Sequence, residues 1–275
     1  MKDFFTMDEI ISYNICPNIH YMETVLGYDR ADFTNLVDRT AGRRNKFLYT
    51  IASNSLKEAI YSYLEGQQEG RAHKDLMLVQ DAYSNHFYAN CEIKDILETD
   101  ASSSKGVPVF SEGLKAVNTF YETMEDNPFT TLLVNKDYEI EVEGYKIHGH
   151  LDGLLERGSM TSSYAKHTLD LFVITKGSFF SQKDFDLYYL ANPMVGFGVH
   201  LIRNDLGFKE SRIIIQPLDF SNRRIIPALE EKHTDNFKKL IANTCDNIKN
   251  KRYHVFPDKR KCTSCAFAPV CREIL

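Results

Sequence analysis

The residues best suited to chemistry stand near the two ends of the chain. Cys262, Cys265 and Cys271 follow a CxxCxxxxxC spacing within "KRKCTSCAFAPVCREIL" (259–275), and Cys16 precedes Pro17 in "SYNICPNIHYME". Thiols in such a cluster can serve a structural staple, a zinc site or an iron–sulfur centre, and the choice turns on where a fourth ligand lies. Six cysteines in 275 residues, without a basic and apolar leader, argue against a disulfide framework and for metal binding or buried thiols in a reducing, cytoplasmic compartment. Cys245 sits in an ordinary helical pattern and Cys91 has no distinctive neighbours, so both read as buried thiols. Cys16 differs, because Pro17 loosens the helix where a thiolate could turn towards a metal.

The elements that must position these residues follow from hydropathy and turn signals. "TMDEIISYNICPNIHYMETVLGY" opens a helix with Thr6 as N-cap and Glu9 three residues later, interrupted at Pro17. A second helix is expected over "SNSLKEAIYSYLEGQQEG", with Leu56, Ala59, Ile60, Tyr63 and Leu64 as its apolar stripe. The Ser-, Gly- and Pro-rich stretch 97–113 reads as a loop or hinge, and 111–126 as a helix. "TTLLVNKDYEIEVEGYKIHGHLDGLLE" reads as two antiparallel strands joined at Gly144. "LDLFVITKG" has the nearly continuous apolar character of a central buried strand. A helix over 184–205, a strand over 211–220 and a long helix over 226–250 complete the body. The expected architecture is one α/β domain, 1–275. Its segments are a largely helical region at 29–130 with a loop near 99–112, a mixed central sheet over 131–220 flanked by helices, and cysteine-bearing segments at 1–28 and 250–275.

With 43% apolar and 26% charged residues, the chain can bury one sizeable core or two modest ones. Its longest apolar runs fall far short of the roughly 20 residues a membrane span needs, so no membrane partner is expected. A net charge of −5 neither favours nor excludes nucleic acid, since phosphate affinity comes from local patches. Two patches exist, "RTAGRRNK" with Arg43 and Arg44, and a run from Lys249 to Lys259, Arg260 and Lys261. Such runs are ordinarily solvated surface.

"CPNIHY" near the start, paired with "FPDKRKCTSCAFAPVC" near the end, resembles the iron–sulfur subgroup of RecB-like nucleases. That subgroup includes the CRISPR-associated RecB-like exonucleases and the nuclease domain of the AddB helicase–nuclease subunit. The resemblance covers most of the chain in order. It implies a PD-(D/E)XK, restriction-endonuclease-like core and a 4Fe–4S cluster held by Cys16, Cys262, Cys265 and Cys271, which would fasten the N- and C-terminal segments together. Zinc is the alternative, since four thiolates also make a good tetrahedral zinc site.

The same resemblance implies a catalytic site. Phosphodiester hydrolysis needs a cation to neutralise charge on the phosphorus and to acidify water, and hard oxygen ligands suit Mg²⁺ or Mn²⁺. Gly149 and Asp152 stand where the family's GxxD lies, making Asp152 the expected catalytic metal ligand, and Lys176 matches the family lysine. The acid expected two residues before that lysine is Ile174, which can bind no cation. Asp170 shares its strand parity but lies about 13 Å away. Glu156 and Glu58 are the candidate donors if the site has migrated. The family's helical histidine would fall near Lys57, and its QxxxY helix near "MVGFG", where Met194 and Gly198 replace glutamine and tyrosine. His148 and His150 flank the aspartate, with His150 on its face. Two functions of different class follow from the resemblance. One is a metal-dependent DNA exonuclease acting on ends or single strands in replication, recombination or repair. The other is an inactive relative serving as a DNA-binding or assembly subunit, with a helicase or another DNA-processing protein as partner.

Overall fold

The computed structural model describes residues 3–28, 42–70, 75–91, 109–126, 129–157, 168–175, 193–220 and 223–253, with Cys262, Cys265, Phe267 and Cys271. A short strand β1 (Phe4–Thr6) leads into α1 (Met7–Ile15), α2 (Pro17–His20) and a π-helical turn (Tyr21–Val25). Three helices follow, α3 (Gly42–Gln68), α4 (Leu76–Ala89) and α5 (Val109–Glu125). Then come β2 (Thr130–Val142), β3 (Tyr145–Arg157) and β4 (Thr168–Thr175). The chain continues through α6 (Pro193–His200), a π-helical turn (Leu201–Asp205), β5 (Glu210–Pro217), β6 (Arg224–Pro227) and α7 (Glu231–Lys249).

The strands form one mixed sheet in the order β1-β3-β4-β5-β6, with β2 on the other side of β3. β2 and β3 make the antiparallel pair read from the sequence, pairing Val142 with Tyr145 around a two-residue turn. Glu143 and Gly144 have φ of 51° and 79°, the left-handed pair that a hairpin turn of this length requires, and glycine carries the larger value without strain. β4 is antiparallel to β3 and parallel to β5, so it lies inside the sheet. Two strands escaped the sequence reading. β1 and β6 span three and four residues, too few for alternation to show, and β6 occupies the start of the stretch expected to be the long helix, which begins at Glu231.

Each face of the sheet carries its own apolar cluster. One joins α1, α6 and α7 through Ile10, Phe197 and Ile241 to Ile147, Leu171 and Ile213. The other joins α3, α4 and α5 through Leu64, Phe87 and Phe120 to Leu155, Phe172 and Ile214. Successive β4 residues thus meet protein on both sides, which is why "LDLFVIT" is apolar without alternation. The architecture is mixed α/β, with a central sheet flanked by helices. Three expectations need amendment. Of the expected loop at 97–113, residues 109–113 belong to α5 and 97–108 lie outside the described residues. The helix expected over 184–205 is found from Pro193, with 184–192 outside the described residues. The strand expected over 211–220 ends at Pro217. Among the described residues, no helix is long and apolar enough to cross a membrane.

Candidate functional site

β2 pairs with β3 along nearly its whole length, so β1 and β4 must share the other edge of β3, β1 at residues 146–148 and β4 at 153–157. Residues 149–152 lie in the gap between them. Asp152, 6% exposed, sits at the point where β4 parts from β3. The Ile174 N–H donates to Asp152 Oδ2 (2.8 Å), and the Tyr61 hydroxyl on α3 donates to Oδ1 (2.6 Å). Tyr61 Oη also lies 3.0 Å from His150 Nε2, and His150 Nδ1 lies 2.8 Å from Asp137 Oδ1. Tyr61 has one proton. With that proton given to Asp152, the His150 ring bridges Tyr61 and the exposed Asp137 carboxylate. Lys57 on the same helix brings its Nζ to 5.1 Å from the Tyr61 ring centre.

Burial pushes the Asp152 carboxyl up, against the opposing pull of Tyr61, the Ile174 N–H, His150 and Lys57. Burial and the adjacent Asp152 push the Tyr61 phenol far above its ordinary value, so it stays protonated. Among the described residues each Asp152 oxygen accepts one hydrogen bond, and burial outweighs them in disfavouring the charge. Asp152 fits a position that a divalent cation would stabilise.

The other expected site residues fall unevenly. Ile174 is half-buried and packs against the α3–α5 cluster, on the face where Asp152 meets Tyr61. Asp170 is buried and committed to Arg157 (2.6 and 3.2 Å) and Arg212 (2.8 Å), so it offers no substitute ligand. Glu58 is exposed on α3, and its field reaches Tyr61. Glu156 must be corrected. Leu151 and Leu154 both face the α1–α6–α7 cluster although three residues apart, so alternation breaks between them. Leu155 returns to the α3 side, and Glu156 follows Leu154, opposite to Asp152. Across the hairpin, Asn135 has a φ of 51° beside this irregularity. Lys176, Lys259, Arg260 and Lys261 lie outside the described residues, while Arg43 and Arg44 fall on the first turn of α3.

Gly149 has a packing role, because an added Cβ would lie 2.7 Å from both Met7 Cγ and Phe197 Cε2. At Gly198, where the resemblance expects a tyrosine, an added Cβ would lie 3.0 Å from two Leu171 methyls, leaving no room for a ring. Tyr61 and Asp137 were missed from sequence, and Lys57 was noted only as the place of the family's helical histidine. Lys57 and Tyr61 stand four apart on one helix and so share a face. Asp137 was within reach of arithmetic, since a hairpin pairing 142 with 145 also pairs 137 with 150.

Cys265 lies within electrostatic reach of Cys16, Cys262 and Cys271. Pro17 opens α2 and leaves Cys16 extended (φ −163°, ψ 122°) between two helices. Burial pushes the Cys265 thiol up, and the fields of Cys16, Cys262 and Cys271 act in the same direction, opposed by a bond from the Phe267 N–H. Asn18 Nδ2 donates to Cys271 Sγ (2.9 Å). Among the described residues, no three His, Cys, Asp or Glu side chains form a group that could hold a metal ion. Two N–H groups, of Asn18 and Phe267, point at sulfur here. Cys245 is buried in the apolar cluster under α7, and Cys91 is half-buried.

No family profile matches the chain, and no curated protein matches it. Among solved structures, one described as "Crystal structure of SSO0001" aligns over 84% of this chain and 97% of that one, at 13% identity and a TM-score of 0.31. At that score the likeness carries no argument about fold or function.

Proposed function

We propose that the chain is a RecB-like protein with a PD-(D/E)XK core that processes DNA, hydrolysing phosphodiester bonds with Mg²⁺ or Mn²⁺ held at Asp152. Its four-thiol corner of Cys16, Cys262, Cys265 and Cys271 would hold a 4Fe–4S cluster, with zinc as the competing occupant. The observation carrying this reading is the buried carboxylate of Asp152, its charge disfavoured by burial, at the parting of β3 and β4. A divalent cation there would supply charge neutralisation at phosphorus and a more acidic water. Tyr61 and the Ile174 N–H orient the carboxylate, and the His150–Asp137 pair holds Tyr61 in turn. Lys176 is the proposed partner that orients water or stabilises developing charge.

One observation favours a second reading, a non-catalytic DNA-binding or assembly subunit, in which a helicase is a candidate partner. Ile174 supplies a hydrocarbon where a second acid is needed, and it packs into an apolar cluster. The discriminating assay incubates linear and single-stranded DNA with Mg²⁺ or Mn²⁺ and the wild type, Asp152→Ala and Ile174→Glu. Cleavage by the wild type that falls about 100-fold or more in Asp152→Ala supports the enzyme. An inert wild type that still binds DNA, with Ile174→Glu also inert, supports the second reading.

A further inference from the structure

A groove of about 830 Å³ opens between the early part of α3, α5 and the chain following β5. Its floor includes Gln216, the strand partner of Ile174, whose N–H holds Asp152. Paired residues on neighbouring strands share a face and lie roughly 5 Å apart, so the groove lies on the Asp152 side of the sheet.

Lys115, Arg223, Glu112 and Asp219 line this groove, so its formal charges cancel. They are not equally available. Glu112 accepts from the Tyr49 hydroxyl (2.7 Å). Arg223, among the described residues, donates to neutral atoms, Met124 Sδ (2.6 Å) and the Thr123 carbonyl (2.8 Å), and Asp126 acts on it only through space. Behind it, Arg157 and Arg212 share one carboxylate, Asp170. These three arginines and Asp170 line a hollow of about 10 Å³, too small for a phosphate, so the surplus positive charge is offered on the groove side by Arg223. Burial and the charge of Arg212 both disfavour the Arg223 guanidinium, a cost that an anion in the groove would offset.

The same groove presents two aromatic rings. Tyr49, 41% exposed, and Phe220 have ring centres 6.1 Å apart at 37°. Phe220 holds a φ of 64°, a left-handed conformation that a bulky residue with a Cβ avoids unless its surroundings enforce it. Arg43 and Arg44 lie on the same helix, about 8–9 Å along the axis from Tyr49.

We propose that this groove binds a nucleotide unit, with Arg223 and Lys115 taking the phosphate and Tyr49 with Phe220 stacking on the base. The inference rests on the nucleic-acid part of the preceding reading and is independent of cleavage. Free nucleotide and strand present the same chemistry, so the test has an arm for each. Binding of a fluorescent (dT)₁₂ strand is followed by anisotropy in EDTA, and dTMP binding by calorimetry. The proteins compared are the wild type, Arg223→Gln, Lys115→Gln, Tyr49→Leu and Phe220→Ala, with Lys239→Gln on α7 as the control. Thermal melts identify any variant that fails to fold, and the exposed Tyr49 and Lys115 keep the test decisive if Arg223→Gln does.

The groove variants should weaken the strand about fivefold or more each, with the control unchanged. Weakening of dTMP alone supports the groove as a site for free nucleotides. Wild-type binding that every groove variant leaves unchanged overturns the groove and leaves a DNA-processing role standing. A wild type that binds neither probe also overturns the groove, and the Mg²⁺ or Mn²⁺ cleavage assay then decides the other reading separately.

Discussion

At the residue scale, Asp152 accepts hydrogen bonds from Tyr61 and the Ile174 N–H, yet burial still disfavours its charge. Asparagine at this position can accept from the Ile174 N–H through Oδ1 and donate to Tyr61 through Nδ2. Tyr61, still protonated, can then donate its hydrogen bond to His150 Nε2, 3.0 Å away. Every partner remains bonded and the buried charge is gone. Asp152→Asn should therefore be more stable than the wild type in EDTA, by about 1 kcal/mol or roughly 2–4 °C in Tm. Mn²⁺ should raise the wild-type Tm and leave the variant unchanged. A variant that melts lower in EDTA would mean that the carboxylate is net stabilising. Asp152 was singled out from "GHLDG", and the structure buries it among hydrogen-bonding partners. Tyr61 was not, since a tyrosine on an apolar helix stripe looks like core until the strand opposite it is known.

At the element scale, the strongest signals were geometric. The Thr6 and Glu9 capping box forms as read, with bonds of 3.0 and 3.2 Å, and the Gly144 turn sets the β2–β3 register. Glu156 lies on the face opposite Asp152 because period-two alternation breaks between Leu151 and Leu154, where β4 leaves β3, and a single strand's sequence does not show a break made by its neighbour. α6 illustrates how helices are tied to the sheet. His200 donates from Nε2 to the Glu141 carbonyl of β2 (3.2 Å), and burial holds its pKa below the ordinary 6.5. A depressed histidine pKa contributes stability above the unfolded value and loses it as pH falls below about 6.5, because the unfolded chain then binds the proton more readily. The denaturant midpoint should fall between pH 7.5 and 5.5, and more steeply in the wild type than in His200→Gln, which keeps an N–H donor. Equal slopes would remove His200 from that dependence.

At the scale of the whole molecule, the two ends of the described chain meet. Lys249 pairs with Asp3 (2.8 Å), Asn14 donates to Thr244 (3.0 Å), and the Tyr13 hydroxyl donates to the Arg252 carbonyl. Tyr253 packs among Tyr21, His20 and Tyr13, with ring centres 5.1, 5.9 and 6.3 Å away. Beside this seam, Cys16 lies within the electrostatic reach of Cys265, along with Cys262 and Cys271. A centre bound there would close a loop nearly as long as the chain, and its binding energy would enter the folding free energy directly. The most direct test is the metal and sulfide content of anaerobically purified protein, read beside its visible spectrum. The account predicts a brown protein with about four iron and four sulfide per chain and broad absorption at roughly 400 nm, lost with a lowered Tm in Cys271→Ser. A colourless protein carrying one zinc, or iron retained and melting unchanged in Cys271→Ser, would contradict it.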